Sequence, residues 1–462
     1  MTTEFVTNGT TTVSSPTNVT YIVVGPGTLN VAGGGAISGA TAVGPGSSIV
    51  VEAGGTATDT AIVGGVQFSY GTSNNVVISN GGIQHVYGGT ASNVLVSAGS
   101  YQDVMNATVN GSTLAGSRQV HIGGVTYSTV IVSGGNEFVA NGGTTYSTII
   151  SSGGLQYIDA NGTSNGTQIN NGGYQYVLGT GNDTVVFSGG VQQVAGTTSN
   201  TIVNSGGIQH VVLSGTAIST TVQAGGFQQV NSGDVQNSQV NGSLQVLATG
   251  SSTDTVVFAG GNEYVGAGGT ANGTTVNAGG LQYIDVGGSA TATNVNGGFV
   301  FVAGTASGAI VNSGEFDVAG SASDTHLAGG TGYIYAGGVQ NGVDFAGAAS
   351  KLYLESASGL TGTVSNFEVG DIIDFRNLLV SSYSFDGANL TLNTESGSFS
   401  YLFSGVQANT EINVASDGQG GTEISLALLN QFSSNLVPDA GEGGITPQGS
   451  DGENTQLVHA QT

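Results

Sequence analysis

Gly153-Gly154-Leu155-Gln156-Tyr157-Ile158 returns as Gly206-Gly207-Ile208-Gln209-His210-Val211 and again as Gly279-Gly280-Leu281-Gln282-Tyr283-Ile284. The shared form is Gly-Gly, an apolar residue, Gln, any residue, then Val or Ile. Further copies begin at Gly81, Gly172, Gly189 and Gly225. With the Gln as marker, successive copies from Gln67 to Gln282 stand 17, 18 or 19 residues apart. Self-similarity at a fixed short period is the signature of a stacked repeat. Between markers lies a second segment of Thr-x-Val/Ile type, as in Thr129-Val130-Ile131, Thr148-Ile149-Ile150 and Thr255-Val256-Val257. Degenerate copies continue through Phe316 and Ile334.

The period dictates the architecture. Each unit holds two short, alternating, β-branched strands separated by Gly-Gly or Gly-Thr-Ala corners. Glycine reaches φ > 0 without a Cβ clash, so the chain can turn there. Neither strand buries its apolar side alone, so units must stack. Coils at ~4.8 Å spacing predict an all-β fold, a parallel β-solenoid (β-helix). From Thr28 to Glu355 there is room for roughly eighteen coils, a rod of about 85 Å.

Side-chain parity divides the Gln strand. Val86, Val139, Ile158, Val177, Val194, Val211 and Ile284 form a uniform inward column. The marker Gln shares their parity. Gln84, Gln156, Gln175, Gln192, Gln209, Gln228 and Gln282 are therefore expected to form an internal ladder of amides bonded along the axis. The next column reads Phe68, His85, Asp103, Val120, Phe138, Tyr157, Tyr176, Gln193, His210, Gln229, Val246, Tyr264, Tyr283, Phe301, Asp317. Its aromatic members, above all Phe138, Tyr157, Tyr176, Tyr264, Tyr283 and Phe301, are candidate contacts for sugar rings or for another rod. The alternative is stacking between coils with no ligand.

A longer duplication is also present. Gly134-Gly135-Asn136-Glu137-Phe138-Val139 recurs as Gly260-Gly261-Asn262-Glu263-Tyr264-Val265, and Leu155 to Asp159 recurs as Leu281 to Asp285. Both pairs are offset by 126 residues, a block of seven coils copied once.

Composition excludes several classes. In 462 residues there are 83 Gly, 28 Asp+Glu, only 3 Lys+Arg, no Cys, and a formal charge of −25. Arg118, Lys351 and Arg376 are too few to neutralise a phosphate backbone, which argues against nucleic acid. Without Cys there is no thiol chemistry, Fe–S cluster or disulfide. The longest apolar runs, such as Tyr21-Ile22-Val23-Val24, are far too short to span a bilayer as a helix. No basic residue precedes Arg118, so a cleaved secretory signal is not expected at the N-terminus.

The GGxQxV repeats and Thr-x-Val half-turns resemble the passenger repeats of bacterial autotransporters of the type called the adhesin involved in diffuse adherence. The resemblance covers about Val43 to Tyr335. It implies a surface-exposed β-solenoid acting in attachment, autoaggregation, biofilm or surface-layer assembly, and a possible glycosylating enzyme as partner. Two departures stand out. Only 106 residues follow Ser356, too few for a translocator barrel of about twelve strands. The signal peptide is missing too, so the expectation is either a passenger fragment or a non-autotransporter protein built on the same repeat, the initiating Met1 and the coherent ending favouring the second. The later segment, Gly370-Asp371-Ile372-Ile373-Asp374-Phe375, then Leu390-Thr391-Leu392, then Ser416-Asp417-Gly418-Gln419-Gly420-Gly421-Thr422, resembles the all-β module closing many type I secreted repeat proteins. The expected organisation is 1–27 leader or cap, 28–355 solenoid, 356–429 small all-β C-terminal cap, and 430–462 flexible acidic tail with room for an export signal.

Other chemistry has weaker support. Gly179-Thr180-Gly181-Asn182-Asp183 resembles one calcium-binding nonapeptide, but a calcium roll needs consecutive copies. Asp183 also falls in a corner column with Asp59, Asp254 and Asp324, which suits a turn. Asp371, Asp374 and Asp417 are the other weak calcium candidates; no cofactor is expected. A β-helical polysaccharide lyase or hydrolase needs clustered carboxylates or a carboxylate with a basic partner. Glu137 with Asp159, and their copies Glu263 with Asp285, come nearest, with no Lys or Arg near either copy. The five histidines are dispersed and read as β-surface residues. An ice-binding surface needs paired outward Thr ranks, whereas here one Thr alternates with core Val.

The sequence thus predicts a secreted, bacterial cell-surface, non-enzymatic rod. Its expected partners are cell-surface or matrix glycans, or copies of itself, and export machinery. A neutral-glycan-binding module is the alternative reading.

Overall fold

The computed structural model describes residues 2–347 and 349–429. They form a parallel β-solenoid of about 21 turns. Segment 430–462, with the expected tail, export signal and His459, lies outside the described residues.

Each coil carries three strands, one more than the repeat suggests. In one coil these are Leu155–Ile158, Thr163–Asn165 and Gln168–Ile169. Each lies in register on its counterpart in the next coil, Leu155 on Tyr174, Thr163 on Thr180 and Gln168 on Val185. The three stacked sheets are the Gln face, the Thr face and the Val face. The extra strand is the Gly-Thr-Ala segment that the sequence reading takes as a corner. Its middle residue is small and buried, as Ala91, Ser164 and Ala217 are. A strand of three small or polar residues carries little β-propensity and is held by its neighbours in the stack.

The corners explain the composition. Between the Val and Gln faces the chain turns at Gly-Gly. Gly134 has φ +80°, and a Cβ on Gly135 would stand 2.0 Å from the carbonyl oxygen of Leu114 in the coil below. Between the Thr and Val faces a single residue in the left-handed region suffices. Asn93, Ser147, Asp183 and Asn200 take φ of 52–54° there, and short polar side chains tolerate it. The Thr of each Thr-x-Val segment, including Thr129, Thr148 and Thr184, follows this corner and is fully buried.

Stacking begins ahead of Thr28. Thr3–Val6 pairs in parallel with Thr20–Val24, and Thr10–Val13 with Thr28–Val31. At ~4.8 Å per coil the solenoid is about 100 Å long. At the other end one face is prolonged by an antiparallel strand and another by a parallel strand that leads into an antiparallel meander. Ile372–Phe375 takes Thr422–Leu428, which takes Thr410–Ser416. Leu360–Ser365 takes Gly397–Ser404, followed by Asn389–Thr394 and Val380–Phe385. Phe345, Phe367, Phe403 and Phe375 are buried where these strands close over the last coil. Turning from parallel to antiparallel pairing ends the open edge of the solenoid.

The interior is columnar. On the Gln face one inward column is Val139, Ile158, Val177, Val194 and their counterparts, all fully buried. The other column is apolar near both ends, with Leu29 and Ile49 below and Val300 and Phe316 above, and polar between them except at Leu244. There the amides form a directed chain. Gln84 Nε2 donates to Gln67 Oε1 at 2.7 Å, and Gln102 to Gln84 at 2.6 Å. Higher up, Gln175, Gln192, Gln209 and Gln228 each donate to the Gln one coil below at 2.6–2.8 Å. Buried hydroxyls add to it, as when Thr220 Oγ1 donates to Gln209 Oε1 at 3.3 Å.

Replacing Gln192 with Leu orphans the carbonyl of Gln175 and the amide of Gln209, at roughly 1–3 kcal/mol for each group. Gln228→Leu, at the upper end of its run, leaves Gln209 still bonded to Thr220 and costs less. Urea midpoints for the two variants test this, and equal midpoints would contradict the coupling.

Candidate functional site: the outer rungs and the sealed carboxylates

The six aromatic candidates lie on the outer side of the Gln face in two blocks. Phe138, Tyr157 and Tyr176 stack at centroid distances of 5.0 and 5.3 Å. Tyr264, Tyr283 and Phe301 stack at 5.6 and 5.2 Å with planes within 12°. In-register coils force this, because equivalent side chains must lie one rung apart. The rings cover each other's faces and are only half-exposed. Gln119, Gln193, Gln245 and Asp317 hold the next position in the column beyond the ends of the two blocks. Gln119 and Gln245 therefore occupy the outward places expected for Val120 and Val246. In both coils the Val holds the core position, which forces its Gln neighbour outward and turns Arg118 and Leu244 inward.

That register shift changes the reading of the carboxylates. Glu137 is buried, and Arg118 in the coil below reaches it at 3.4 Å, both side chains having no solvent exposure. The expectation of no basic residue near Glu137 is thus corrected: a coil, not sequence proximity, brings them together. Arg118 Nε also donates to Gln102 Oε1 at 2.6 Å, and Glu137 accepts from Gln156 Nε2 at 2.9 Å. Burial lowers the guanidinium pKa, and Glu137 opposes that shift. Its copy Glu263 stands above Leu244. Ser252, Thr274 and Gln282 each donate to its carboxyl at 2.8 Å. Burial without a cation holds the Glu263 carboxyl above the ordinary range, against those hydrogen bonds. Asp159 and Asp285 lie on the outside, and Tyr264 donates its hydroxyl to Asp285. The solenoid wall separates the two carboxylates of each pair.

Two histidines meet, contrary to the dispersed reading. Asp103 Oδ2 lies 3.3 Å from His85 Nδ1, and its Oδ1 lies 3.0 Å from His121 Nε2. Tyr87 Oη donates to the same carboxylate at 2.6 Å. His85 and Asp103 are in register one coil of 18 residues apart, whereas Asp103 stands against Gln119 in the next coil and His121 reaches it from two residues farther along the same face. A similar clasp forms at Asp317, where Tyr335 Oη donates at 3.0 Å and burial pushes the carboxyl up to about 6.

The calcium candidates occupy separate places. Asp183 is a left-handed corner residue and accepts from Asn200 Nδ2 at 3.1 Å. Asp371 accepts the backbone N–H of Ser350 and of Glu368, both at 2.9 Å. Asp417 accepts those of Gln419 and Gly421. Asp374 faces Arg376 at 3.4 Å, and Arg376 lies 4.4 Å over the Tyr353 ring. Among the described residues no group of three or more His, Asp or Glu is arranged to hold a metal ion, and no helix is long and apolar enough to cross a membrane.

The Thr face differs from expectation too. Thr72, Thr90 and Thr108 point outward in one rank, with Asn74, Ser92 and Asn110 in a second. Two outward ranks thus exist on the strand taken for a corner, but only one is Thr and the second is Asn and Ser; the Thr of the Thr-x-Val segment is the buried one.

Two outcomes arise from the sealed carboxylates. Arg118→Leu leaves Glu137 as an uncompensated buried charge and costs about 3–5 kcal/mol. Adding Glu137→Gln returns most of it, as read from denaturant midpoints. Glu263 holds its proton more tightly folded than unfolded, so its contribution is full at acid pH and is lost as pH climbs above the ordinary glutamate range. Glu263→Gln should therefore stabilise the rod increasingly from mildly acid to alkaline pH and give no gain at pH 4. A gain independent of pH, in thermal melts, would contradict this.

No protein-family model matches the chain, and no curated protein matches it. Among solved structures it is similar to the crystal structure of a TibC-catalyzed hyper-glycosylated TibA fragment, TibA55-350. The identity is 26%, the match covers 78% of this chain and 94% of that chain, and the TM-score is 0.31. At that score the two structures do not superpose as wholes, and the likeness carries no weight in assigning a function.

Proposed function

We propose that the chain is a secreted adhesive and structural rod of the bacterial cell surface, working by repetition. The observation that supports this is the in-register stack: a contact made by one outer rung is offered again about every 4.8 Å over some 21 coils. Weak contacts to a surface, a matrix glycan or another rod then sum through effective concentration. Attachment, autoaggregation, biofilm and surface-layer assembly are the roles this mechanism suits. Outward hydroxyls such as Thr90 and Ser92 offer acceptors to a glycosylating enzyme. A non-enzymatic role is favoured because Glu137 and Glu263 have their carboxyls inside the wall, away from any polymer lying on the rod. The module as a neutral-glycan binder is the second reading. It is weakened by the mutual stacking of the aromatic faces, which leaves mainly ring edges for a sugar.

The internal duplication provides the test. Deleting residues 134–259 joins Ser133 to Gly260, keeps the repeat in register and removes seven coils. Beads coated with the shortened rod should attach to cells or matrix polysaccharide at least tenfold more weakly than beads with the full chain. Unchanged attachment would point to one discrete site. Polysaccharide turnover abolished by Glu137→Gln would overturn the non-enzymatic reading.

A further inference from the structure

We infer that the Val face is a lateral interface on which two copies of this chain pair side by side. The inference rests on the adhesive-rod reading and names which face meets which partner.

Charge distribution carries it. From Ala61 to Asn312, about fifteen rungs, the outward positions of the Val face contain no Asp, Glu, Lys or Arg. The other faces do carry acids: Asp103, Asp159 and Asp285 on the Gln face or its edge, and Asp234 on the Thr face. With a formal charge of −25, copies meeting on those faces set carboxylate against carboxylate. On the Val face they do not.

Exposure points the same way. The Gln-face aromatics are half-covered by one another, whereas Val77, Leu95, Phe187, Ile202 and Ile310 on the Val face are all at least 38% exposed. Val77 stacks on Leu95 and Ile202 on Val185 one coil apart, so the exposed side chains form short apolar runs spread along the rod. Asp183 and Asp254, at the corner beside this face, form its rim, where solvent screens them.

Size and period identify the occupant. Two outward residues per rung over about fifteen rungs make a flat strip ~67 Å long and roughly 12 Å wide, hence about 800 Å² on each partner. That is the size of a standard specific interface. A surface that is uncharged and repeats every ~4.8 Å is matched rung for rung by another strip of the same period, which a second copy supplies. A two-fold axis makes the contact self-complementary and closed.

The test is sedimentation and small-angle scattering on the full chain at about 10–100 µM. Wild type should run at twice its 45.4 kDa mass, with an unchanged rod length and a larger cross-section. Leu95→Lys with Ile202→Lys places cations on the strip without touching the core and should weaken pairing about 100-fold, leaving a monomer with an unaltered melt. Thr90→Lys with Thr197→Lys on the Thr face should leave the dimer intact. A monomeric wild type, a lengthened end-to-end particle, or a Val-face variant that stays dimeric would each overturn the inference. Wild-type monomers whose beads still attach in a length-dependent way would sink lateral pairing alone and leave the adhesive reading standing. Loss of length dependence with dimers intact would do the reverse.

Discussion

Backbone pairing between successive coils fixes everything else in this molecule. Along the strands N–H and C=O groups are satisfied by the coil above or below, so equivalent residues are held one strand spacing apart. A side chain must therefore tolerate a near copy of itself at ~4.8 Å. Amides, hydroxyls, aromatic rings and β-branched residues do so; like charges do not. Charged residues are accordingly 7% of the chain. Those in the solenoid stand at corners, pair with a Tyr hydroxyl or an imidazole, accept from neighbouring hydroxyls and amides as Glu263 and Asp234 do, or are sealed as Arg118 with Glu137.

Much of this was legible because a stacked repeat writes its geometry as periodicity. The Gly-Gly corners, the Val and Ile columns and the direction of Gln156 and its equivalents follow from spacing and parity alone. What escaped has physical causes. The Thr-face strand is three residues long and built from Thr, Ser, Ala and Asn, so neither hydrophobicity nor propensity announces it. Its corner uses Asn93 or Asp183 in a left-handed conformation, which no glycine flags. At Ser117-Arg118-Gln119-Val120 a local Gln mimics the marker, and only the demand of the core for Val120 reveals that the register has moved. The same shift hides Arg118, the cation that Glu137 requires. His85 and His121 meet at Asp103 only once the coils are stacked, because His121 lies two residues past the register partner of Asp103.

The three faces divide the work. The Gln face holds the directed polar interior and wears stacked rings outside. The Thr face presents two ranks of hydroxyls and amides. The Val face is uncharged for most of its length and keeps exposed aliphatic side chains. At the C-terminal end the acids crowd together, with Asp374, Asp417 and Glu423 around Arg376. Sheet order changes there from parallel to antiparallel, so that rungs no longer repeat and unlike charges can be neighbours.

The amide ladder has a polarity that gives the ionisable residues at its ends a meaning. Every Gln donates toward the N-terminal end of the rod and accepts from the other side, so the side-chain dipoles add as peptide dipoles do in an α-helix. The lower end of such a run presents bare donors and the upper end bare acceptors. Glu137 and Glu263 stand beneath Gln156 and Gln282 at donor ends, and Arg118 stands above Gln102 at an acceptor end. These three residues are the N-caps and C-cap of a helix-like dipole made of side chains inside a β-solenoid. The ladder can then be lengthened or cut at will, provided each new end receives a group that only accepts or only donates.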